Sequence, residues 1–291
     1  MEVPKYISAK KTAGVLFFLP ALVLLLIFLI APMVVAVGFS FTKYTVLDPP
    51  RFIGFANYSR LFSQATFWAS LRVTLVYVFV RVVIILFIAL LLSLVLNQQF
   101  PFRGFFQTVS FLPFVFPLAV TSVVWKVIYR PFGLMENLTS LIGVGPLPWL
   151  SSGEYALAAV TISTIWSGVG YYAVIFLAGL QTIPKDILEA AVIDGAGNVQ
   201  RFSKVILPLL KPTMFYVTVV AVIGTLQQFP PFMIMTGGGP GQATRVLGLF
   251  IYEYAFAHLN MGFACTASLV MFVLIMGFTL VQRRLQRYEV Y

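Results

Sequence analysis

Residues 181–212 read QTIPKDILEAAVIDGAGNVQRFSKVILPLLKP and form the longest and most charged segment between two apolar stretches of the chain. Pro184 and Asp186 favour the start of a helix, because proline suits the first helical position and an acidic side chain there is stabilised by the helix dipole. Gly195 favours the end of that helix, and a second short helix is predicted over about residues 199–205. The segment is therefore predicted to be a water-exposed pair of short helices with a narrow apolar face.

The rest of the chain has the composition of a membrane protein. Of its 291 residues, 60% are hydrophobic and 10% are charged, and the mean hydropathy is +0.97, so there is too little polar surface to cover a soluble globule. A helical crossing needs about 20 apolar residues, and an open sheet cannot satisfy its backbone in lipid. The sequence predicts an all-α polytopic membrane protein with a single transmembrane domain over residues 1–291. Its six predicted spans cover residues 14–40, 71–96, 105–129, 155–180, 213–235 and 262–282.

The distribution of Lys and Arg predicts the orientation of these spans. Eleven of these residues lie in the N-terminal segment, the loop that contains Arg103, residues 181–212 and the C-terminal segment, whereas the opposite loops hold five. Positive residues are enriched in cytoplasmic loops, so both termini and residues 181–212 are predicted to be cytoplasmic. The first apolar stretch follows three lysines as a signal peptide does, but it has more than 25 residues and predicts an uncleaved anchor.

Several function classes are disfavoured by composition. The 19 basic residues are spread along the chain and mostly flank apolar runs, so the net charge of +10 does not predict a nucleic-acid partner. Cys265 is the single cysteine and there is one histidine, so neither a metal site nor the nucleophile–base pair of a membrane-embedded enzyme is predicted. All nine acidic residues fall outside the spans, which argues against a proton- or sodium-coupled secondary transporter.

Polar residues within the spans are candidates for a solute path. Thr225, Gln227 and Gln228 interrupt the fifth span, and sugars are bound by uncharged donors and acceptors together with aromatic faces. Hydrogen bonding between helices is the alternative role for these side chains. Arg81 lies in the middle of the second span with no acidic residue in any span. We interpret it as a structural charge at a subunit interface, with binding of an acidic sugar as the alternative.

The segment quoted first resembles the EAA signature of permeases of ATP-binding-cassette (ABC) importers. That signature runs EAA, three residues, Gly, nine residues and Ile-x-Leu-Pro, and Glu189-Ala190-Ala191, Gly195 and Leu207-Pro208 occupy those places, with Val205 for Ile. The resemblance implies that residues 182–212 form a coupling loop whose helix sits in a groove of a cytoplasmic ATPase subunit. Glu189 would then contact that subunit, while Asp194 and Gly195 shape the turn.

Further segments look like the carbohydrate-uptake branch of these permeases, and in particular like maltose permease F. They are Phe41-Thr42-Lys43-Tyr44, Phe55-Ala56-Asn57-Tyr58, Phe111-Leu112-Pro113, residues 178–184 and residues 236–240. The resemblance implies a type I ABC importer permease fold in a bacterial or archaeal plasma (inner) membrane. It also implies a second permease subunit, two ATP-binding subunits that hold ATP and Mg, and an extracytoplasmic solute-binding protein that delivers a sugar or oligosaccharide. This chain would need no cofactor of its own.

The same resemblance implies a set of sugar-contacting positions. Tyr171 matches an aromatic contact of the family, whereas Ala221 and Gly224 replace a hydroxyl and an aromatic residue. A solute other than a plain sugar, such as a glycerol-phosphate-type compound or an acidic sugar derivative, is therefore kept as the alternative. Together with the polar pattern of the fifth span, the predicted substrate-binding residues are Gly168, Tyr171, Thr225, Gln227 and Gln228.

Two stretches near the fifth span contain several glycine or proline residues. Residues 237–241 are rich in glycine, but no Gly-Lys-Ser/Thr follows, so they predict a turn on the outer side and not a nucleotide site. Members of the family that the chain resembles often have Phe-Asp where Phe229-Pro230-Pro231 stands here. Because two prolines remove two backbone donors, an irregular segment is predicted before Gly237.

Overall fold

The computed structural model describes residues 16–141 and 143–287. Helices dominate this part of the chain, joined by short loops and one two-stranded antiparallel ribbon. The helices are α1 (Leu16–Ser40), α2 (Ala56–Ser63), α3 (Ala65–Asn97), α4 (Arg103–Val115), α5 (Leu118–Ile128), α6 (Leu134–Leu141), α7 (Gly153–Gln181), α8 (Lys185–Ile193), α9 (Asn198–Arg201), α10 (Lys211–Leu226), α11 (Pro230–Met235), α12 (Leu247–Tyr252) and α13 (Met261–Arg287). The strands are β1 (Thr42–Lys43) and β2 (Arg51–Phe52). Single π-helical turns occur within α1 (Leu26–Ile30), after α9 (Phe202–Ile206, followed by Leu207–Leu209) and after α12 (Glu253–Ala257).

Five of the predicted spans correspond to helical stretches that are long and apolar enough to cross a bilayer. Residues 14 and 15 of the first predicted span lie outside the described residues. The depth and direction of each crossing stay predictions. The five stretches are Leu16–Ser40, Ala65–Asn97, Gly153–Gln181, Lys211–Met235 and Met261–Arg284.

The helix predicted over residues 105–129 is two helices at an angle. α4 and α5 are bent by 96° with respect to each other, and the bend falls at Phe116, whose backbone is extended (φ −74°, ψ 140°). Pro117 explains this conformation, since the residue before a proline is disfavoured in the helical region. The apolar run alone did not predict an angle.

The fifth span is also interrupted. α10 ends at Leu226, residues 227–229 are not helical, and α11 begins at Pro230. The predicted irregular segment is therefore present, but the two prolines begin a helix instead of disrupting one. They occupy positions where a backbone N–H has no intrahelical partner in any case.

An apolar helix lies where the sequence predicted only an external loop. Leu247–Ala257 is helical, and Leu247, Leu249 and Phe250 are each at most 2% exposed. This helix is shorter than the roughly 20 apolar residues that cross a bilayer, so the length of the apolar run did not predict it.

The chain divides into two compact units. The first contains the described residues up to 64 and residues 251–272, and among its buried polar residues is Asn57, which is 6% exposed. The amide of Asn57 donates to the carbonyl oxygens of Ser40 (2.9 Å) and Thr42 (2.8 Å). Asn57 thereby fixes the end of α1, which gives a structural reason for the segment Phe55-Ala56-Asn57-Tyr58. The single domain predicted over the whole chain stays a prediction.

The second unit contains the described residues from 65 to 250 and from 273 to 287. Its core is the packing of α3 and α4 against α7. At Gly170 in α7, a methyl group would lie 1.9 Å from the carbonyl oxygen of Ser110 and 3.0 Å from Cα of Phe111. Only glycine therefore allows the backbone of α4 to approach α7 so closely, as small residues do between membrane helices.

Candidate functional site

A cavity of about 290 Å³ lies in the second unit beside Arg81, and we call it the Arg81 cavity. Its volume is just below the roughly 300–1,000 Å³ typical of small-molecule sites. The wall combines a cation, hydroxyl groups, an amide and aromatic rings. The side chains that carry these groups are Arg81, Thr164, Ser167, Gln228, Phe114, Phe116 and Tyr172.

Both helix interruptions border this cavity. Phe116 and Leu118, on either side of the bend between α4 and α5, line it, and so does Gln228 from the break between α10 and α11. An interrupted helix leaves backbone N–H and C=O groups without intrahelical partners, and lipid cannot satisfy them. Such breaks are tolerated at membrane depth where they are buried in protein or line a cavity, and here they add polar groups to an apolar bundle.

Arg81 is 4% exposed and is held by two threonines. Its Nε donates to Thr164 Oγ1 (3.2 Å), its Nη2 to the Thr164 carbonyl oxygen (3.2 Å) and its Nη1 to Thr225 Oγ1 (2.5 Å). Each hydroxyl donates its own proton to its helix, Thr164 to the carbonyl of Thr161 and Thr225 to that of Ala221. The hydroxyls therefore present only lone pairs to the guanidinium. Arg81 joins three helices, α3, α7 and α10, through neutral partners.

Gly168 provides the space that the guanidinium occupies. A methyl group at this position would lie 3.0 Å from Nη2 of Arg81 and 3.2 Å from Cδ1 of Ile85. The residue lines the cavity, but it has no side chain to contact a ligand. Its main contribution is to the shape of the site.

The side chain of Gln228 is oriented from one side. Tyr77 is 1% exposed, and its hydroxyl donates to Oε1 of Gln228 and lies 3.1 Å from Thr164 Oγ1. Within the described residues, Nε2 of Gln228 has no hydrogen-bond partner. Since Gln228 lines the cavity, this amide nitrogen is left to donate to a ligand.

Tyr171 and Gln227 lie outside the wall of the cavity. The ring of Tyr171 stacks on Phe114 at 4.5 Å between centroids and 18° between planes, and it meets Tyr172 edge-on at 5.1 Å. Tyr171 therefore supports two rings that do line the cavity. Gln227 is exposed. That Tyr171 and Gln227 bind substrate stays a prediction. Neither residue lines the cavity, whereas Gln228 does.

Helix α8 is a surface element with no buried residue. Val192 is 53% exposed and Ile193 is 85% exposed, and both Glu189 and Ala190 are exposed as well. The helix begins at Lys185, one residue after the predicted first position Pro184, which is its N-cap (φ −60°, ψ 134°). A helix with unburied apolar side chains is typical of a surface that a partner covers.

The end of α8 is closed by a glycine in the left-handed region. Gly195 has φ +79°, and the N–H groups of Asp194 and Ala196 donate to the carbonyls of Ala190 and Ala191, each at 2.9 Å. These bonds satisfy the last carbonyl groups of the helix. The EAA alanines thus provide backbone acceptors that define where α8 stops.

We expect Gly195→Ala to loosen this turn by about 1 kcal/mol, because a Cβ is disfavoured at positive φ. The control is Gly197→Ala, where φ is −68° and, as at Gly195, no atom lies within 4 Å of an added methyl group. Hydrogen exchange of the Asp194 and Ala196 amides should accelerate roughly fivefold in the first variant and stay unchanged in the second. Equal rates in both variants would contradict the assignment of the strain to φ.

A comparison with protein families decides the class of the molecule. The family described as binding-protein-dependent transport system inner membrane component matches residues 85–288. The chain belongs to this family. It is a multi-pass membrane permease of the ABC-importer class, with the all-α polytopic architecture predicted from its sequence, and the resemblance of the EAA segment is confirmed at the level of the family.

Characterised and named relatives match the permease over nearly its whole length. The trehalose/maltose transport system permease protein MalF of Thermococcus litoralis is 34% identical over 287 residues, which cover 98% of this chain and 96% of that protein. The sulfoquinovosyl glycerol transport system permease protein SmoG of Agrobacterium fabrum is 33% identical and covers 94% of this chain and 90% of its own length. The sn-glycerol-3-phosphate transport system permease protein UgpA of Yersinia pestis is 34% identical, with 92% of each chain covered.

Solved structures share the fold of the permease. A chain of a bacterial alginate ABC transporter, in complex with an alginate pentasaccharide-bound periplasmic protein, superposes with a TM-score of 0.86 over 99% of this chain and 98% of that chain, at 22% identity. A chain of the MetNI methionine ABC transporter superposes with a TM-score of 0.58 over 79% of this chain and 100% of that chain, at 19% identity. The type I importer architecture that the resemblance implied is therefore the observed fold.

The structure brings some of the predicted substrate-binding residues together and adds others. Gly168 and Gln228 line the Arg81 cavity, and Thr225 holds the arginine beside it. Thr164 and Tyr172, which also line it, were missed. They lie four positions before and after Gly168, so helical spacing would have placed all three on one face. Residue-by-residue transfer from the family selected Tyr171 instead.

Proposed function

We propose that the permease is one of two membrane-spanning subunits of an importer that carries a sugar or oligosaccharide delivered by an extracytoplasmic solute-binding protein. Two cytoplasmic ATP-binding subunits bind ATP and Mg and perform the hydrolysis, and this chain contributes no cofactor. The assembly lies in a bacterial or archaeal plasma (inner) membrane, with lipid around the apolar helices. Both termini and α8 are on the cytoplasmic side.

The observation that carries this proposal is the wall of the Arg81 cavity. The hydroxyl of Ser167, the amide of Gln228 and the rings of Phe114 and Tyr172 line one small space between interrupted helices. Donors and acceptors without charge, combined with aromatic faces, are the groups that bind sugar hydroxyls and sugar rings. The relatives named for trehalose/maltose and for sulfoquinovosyl glycerol transport support a sugar or sugar derivative as cargo.

Helix α8 supports the link to ATP-binding subunits. It is the first helix after α7 and is followed by α9 and α10, and α7 and α10 carry the two threonines that hold Arg81. A displacement of α8 by a moving ATPase therefore reaches both helices of the site through short connections. Alternating access requires such a connection between ATP hydrolysis and the solute path.

Reconstitution of the importer tests the proposal. The permease is co-expressed with its second permease and ATP-binding subunits, placed in liposomes and supplied with its solute-binding protein. ATP-dependent uptake of labelled trehalose, maltose and glucose 6-phosphate is measured, with methionine as a non-sugar control. Uptake of methionine and of none of the sugar compounds would contradict a sugar cargo.

Adjacent glutamines provide a matched pair for the solute path. We expect Gln228→Ala to lower uptake about tenfold, since the loss of one hydrogen bond in a closed site is worth about 1–1.5 kcal/mol. Gln227→Ala should change uptake less than about twofold, because Gln227 is exposed and does not line the cavity. Initial rates of labelled sugar uptake, normalised to the amount of assembled importer, give the comparison. A larger loss of uptake for Gln227→Ala than for Gln228→Ala would show that the solute passes Gln227 and not the Arg81 cavity.

A further inference from the structure

The Arg81 cavity contains a positive charge that no described residue neutralises. Arginine stays protonated in proteins, and the three hydrogen bonds of Arg81 all end on neutral oxygen atoms of Thr164 and Thr225. Within residues 16–141 and 143–287, no carboxylate accepts a hydrogen bond from it. A buried charge is stable when it is paired with an opposite charge as well as hydrogen-bonded.

The guanidinium also has unused donors. It carries five N–H groups, of which three bond to Thr164 and Thr225, one each on Nε, Nη1 and Nη2, and the side chain of Tyr172 is a further hydrogen-bond partner. At least one N–H of the terminal nitrogens therefore remains to donate to an oxygen of a carboxylate, sulfonate or phosphate. Because Arg81 lines the cavity, these donors border the space where a ligand binds.

The surroundings of Arg81 keep this end of the side chain in place. Thr164 and Thr225 fix it from α7 and α10, and Gly168 leaves room for Nη2, which a methyl group there would approach to 3.0 Å. A charge whose only task was to join helices would have its remaining donors covered by protein. Here the protein covers one side of the guanidinium and leaves the cavity on the other.

We propose that the cargo of this permease is a sugar with one anionic group, a carboxylate, a sulfonate or a phosphate ester, and that this group pairs with Arg81 in the cavity. The inference rests on the proposed sugar import and adds the charge of the cargo. The ring hydroxyls bind Ser167 and Gln228, and the ring packs on Phe114 and Tyr172. Arg81 is then the residue that selects acidic over neutral sugars.

Four glucose compounds that differ only at carbon 6 test the charge preference. Glucose, glucuronate, 6-deoxy-6-sulfoglucose and glucose 6-phosphate are titrated against the assembled importer in nanodiscs, with binding followed by saturation-transfer NMR. At least one anionic compound should bind about 10- to 100-fold tighter than glucose, the gain expected for hydrogen bonds to a charged group. The three anions distinguish carboxylate, sulfonate and phosphate cargo.

Two arginines of α3 provide the variant and its control. Arg81→Gln should bring the affinity for the preferred anion down to that for glucose, whereas Arg72→Gln, which removes an exposed charge from the same helix, should leave the preference intact. If Arg81→Gln does not assemble, Gly168→Ala displaces the guanidinium while keeping the charge. That variant should also reduce the preference, and Gly104→Ala, with no atom within 4 Å of the added methyl group, should not.

Three results would overturn the inference. The first is that the wild-type importer binds glucose as tightly as all three anions. This result would leave sugar import in place and contradict only the proposed anionic group of the cargo. The second is an equal loss of glucose and anion binding in Arg81→Gln, which assigns the residue a structural role alone. The third is an importer that binds none of the four compounds; uptake of trehalose or maltose would then leave sugar import in place, whereas its absence would remove the proposed function as well.

Discussion

Glu189→Lys is expected to lower ATP-driven uptake at least about 100-fold while the permease remains folded and inserted. No residue of α8 is buried, so a charge reversal on this helix leaves the internal packing intact. Its effect must arise where a partner covers the helix. Removal or reversal of a charge paired across a buried interface costs about 2–5 kcal/mol, and 3 kcal/mol is about 100-fold in affinity.

Co-purification and ATPase assays separate coupling from folding. The ATP-binding subunits should no longer co-purify with Glu189→Lys permease, or should lose stimulation by the loaded solute-binding protein. Gln200→Lys is the control, because it also introduces a lysine at an exposed position in the same loop, in α9, with a charge change of one unit instead of two. Normal co-purification together with normal stimulation in Glu189→Lys would exclude a coupling role for this residue.

Gly170→Ala is expected to have the largest effect on folding. The added methyl group would lie 1.9 Å from the carbonyl oxygen of Ser110, and both atoms belong to or adjoin backbone, so no side-chain rotation relieves the clash. Separation of α4 from α7 should destabilise the permease by about 3 kcal/mol or more, at the upper end of the range for overpacking. The thermal midpoint and the monodisperse fraction in detergent should both fall.

Gly277→Ala is the matched control for this variant. Gly277 also lies inside a long helix, α13, but no atom is within 4 Å of an added methyl group. Alanine is the better helix former, so this variant should be as stable as the wild type or slightly more stable. Equal thermal midpoints for Gly170→Ala and Gly277→Ala would show that α4 and α7 do not approach each other as closely as described.

The long helices were predictable from composition, and so was an irregular segment before Gly237, whereas the form of each interruption was not. Apolar runs of sufficient length identify helices such as α3 and α7. Pro117 was visible in the sequence, but the size of the bend at Phe116 depends on the helices that pack on either side. Pro230 and Pro231 were interpreted as disrupting a helix and instead begin one, since the effect of proline depends on its position in the first turn.

The site was predictable in part for a similar reason. Arg81 was recognised as an exceptional charge, but its partners Thr164 and Thr225 are 83 and 144 residues away along the chain. No local pattern connects such residues. Gln228 was identified by its polarity, and Tyr172 would have followed from its spacing to Gly168, so helical periodicity is the signal that the sequence reasoning used too little.

The two helix interruptions have a consequence for the thermodynamics of transport. Phe116 and Gln228, which lie at these interruptions, line the cavity, and between transport cycles water satisfies the polar groups there that have no protein partner. When cargo enters, ordered water leaves and sugar hydroxyls take over its hydrogen bonds. The enthalpy of the bonds lost to water then nearly cancels the enthalpy of the bonds gained with the sugar. The resulting affinity is modest, and modest affinity lets a carrier release its cargo on the far side of the membrane as readily as it accepts it.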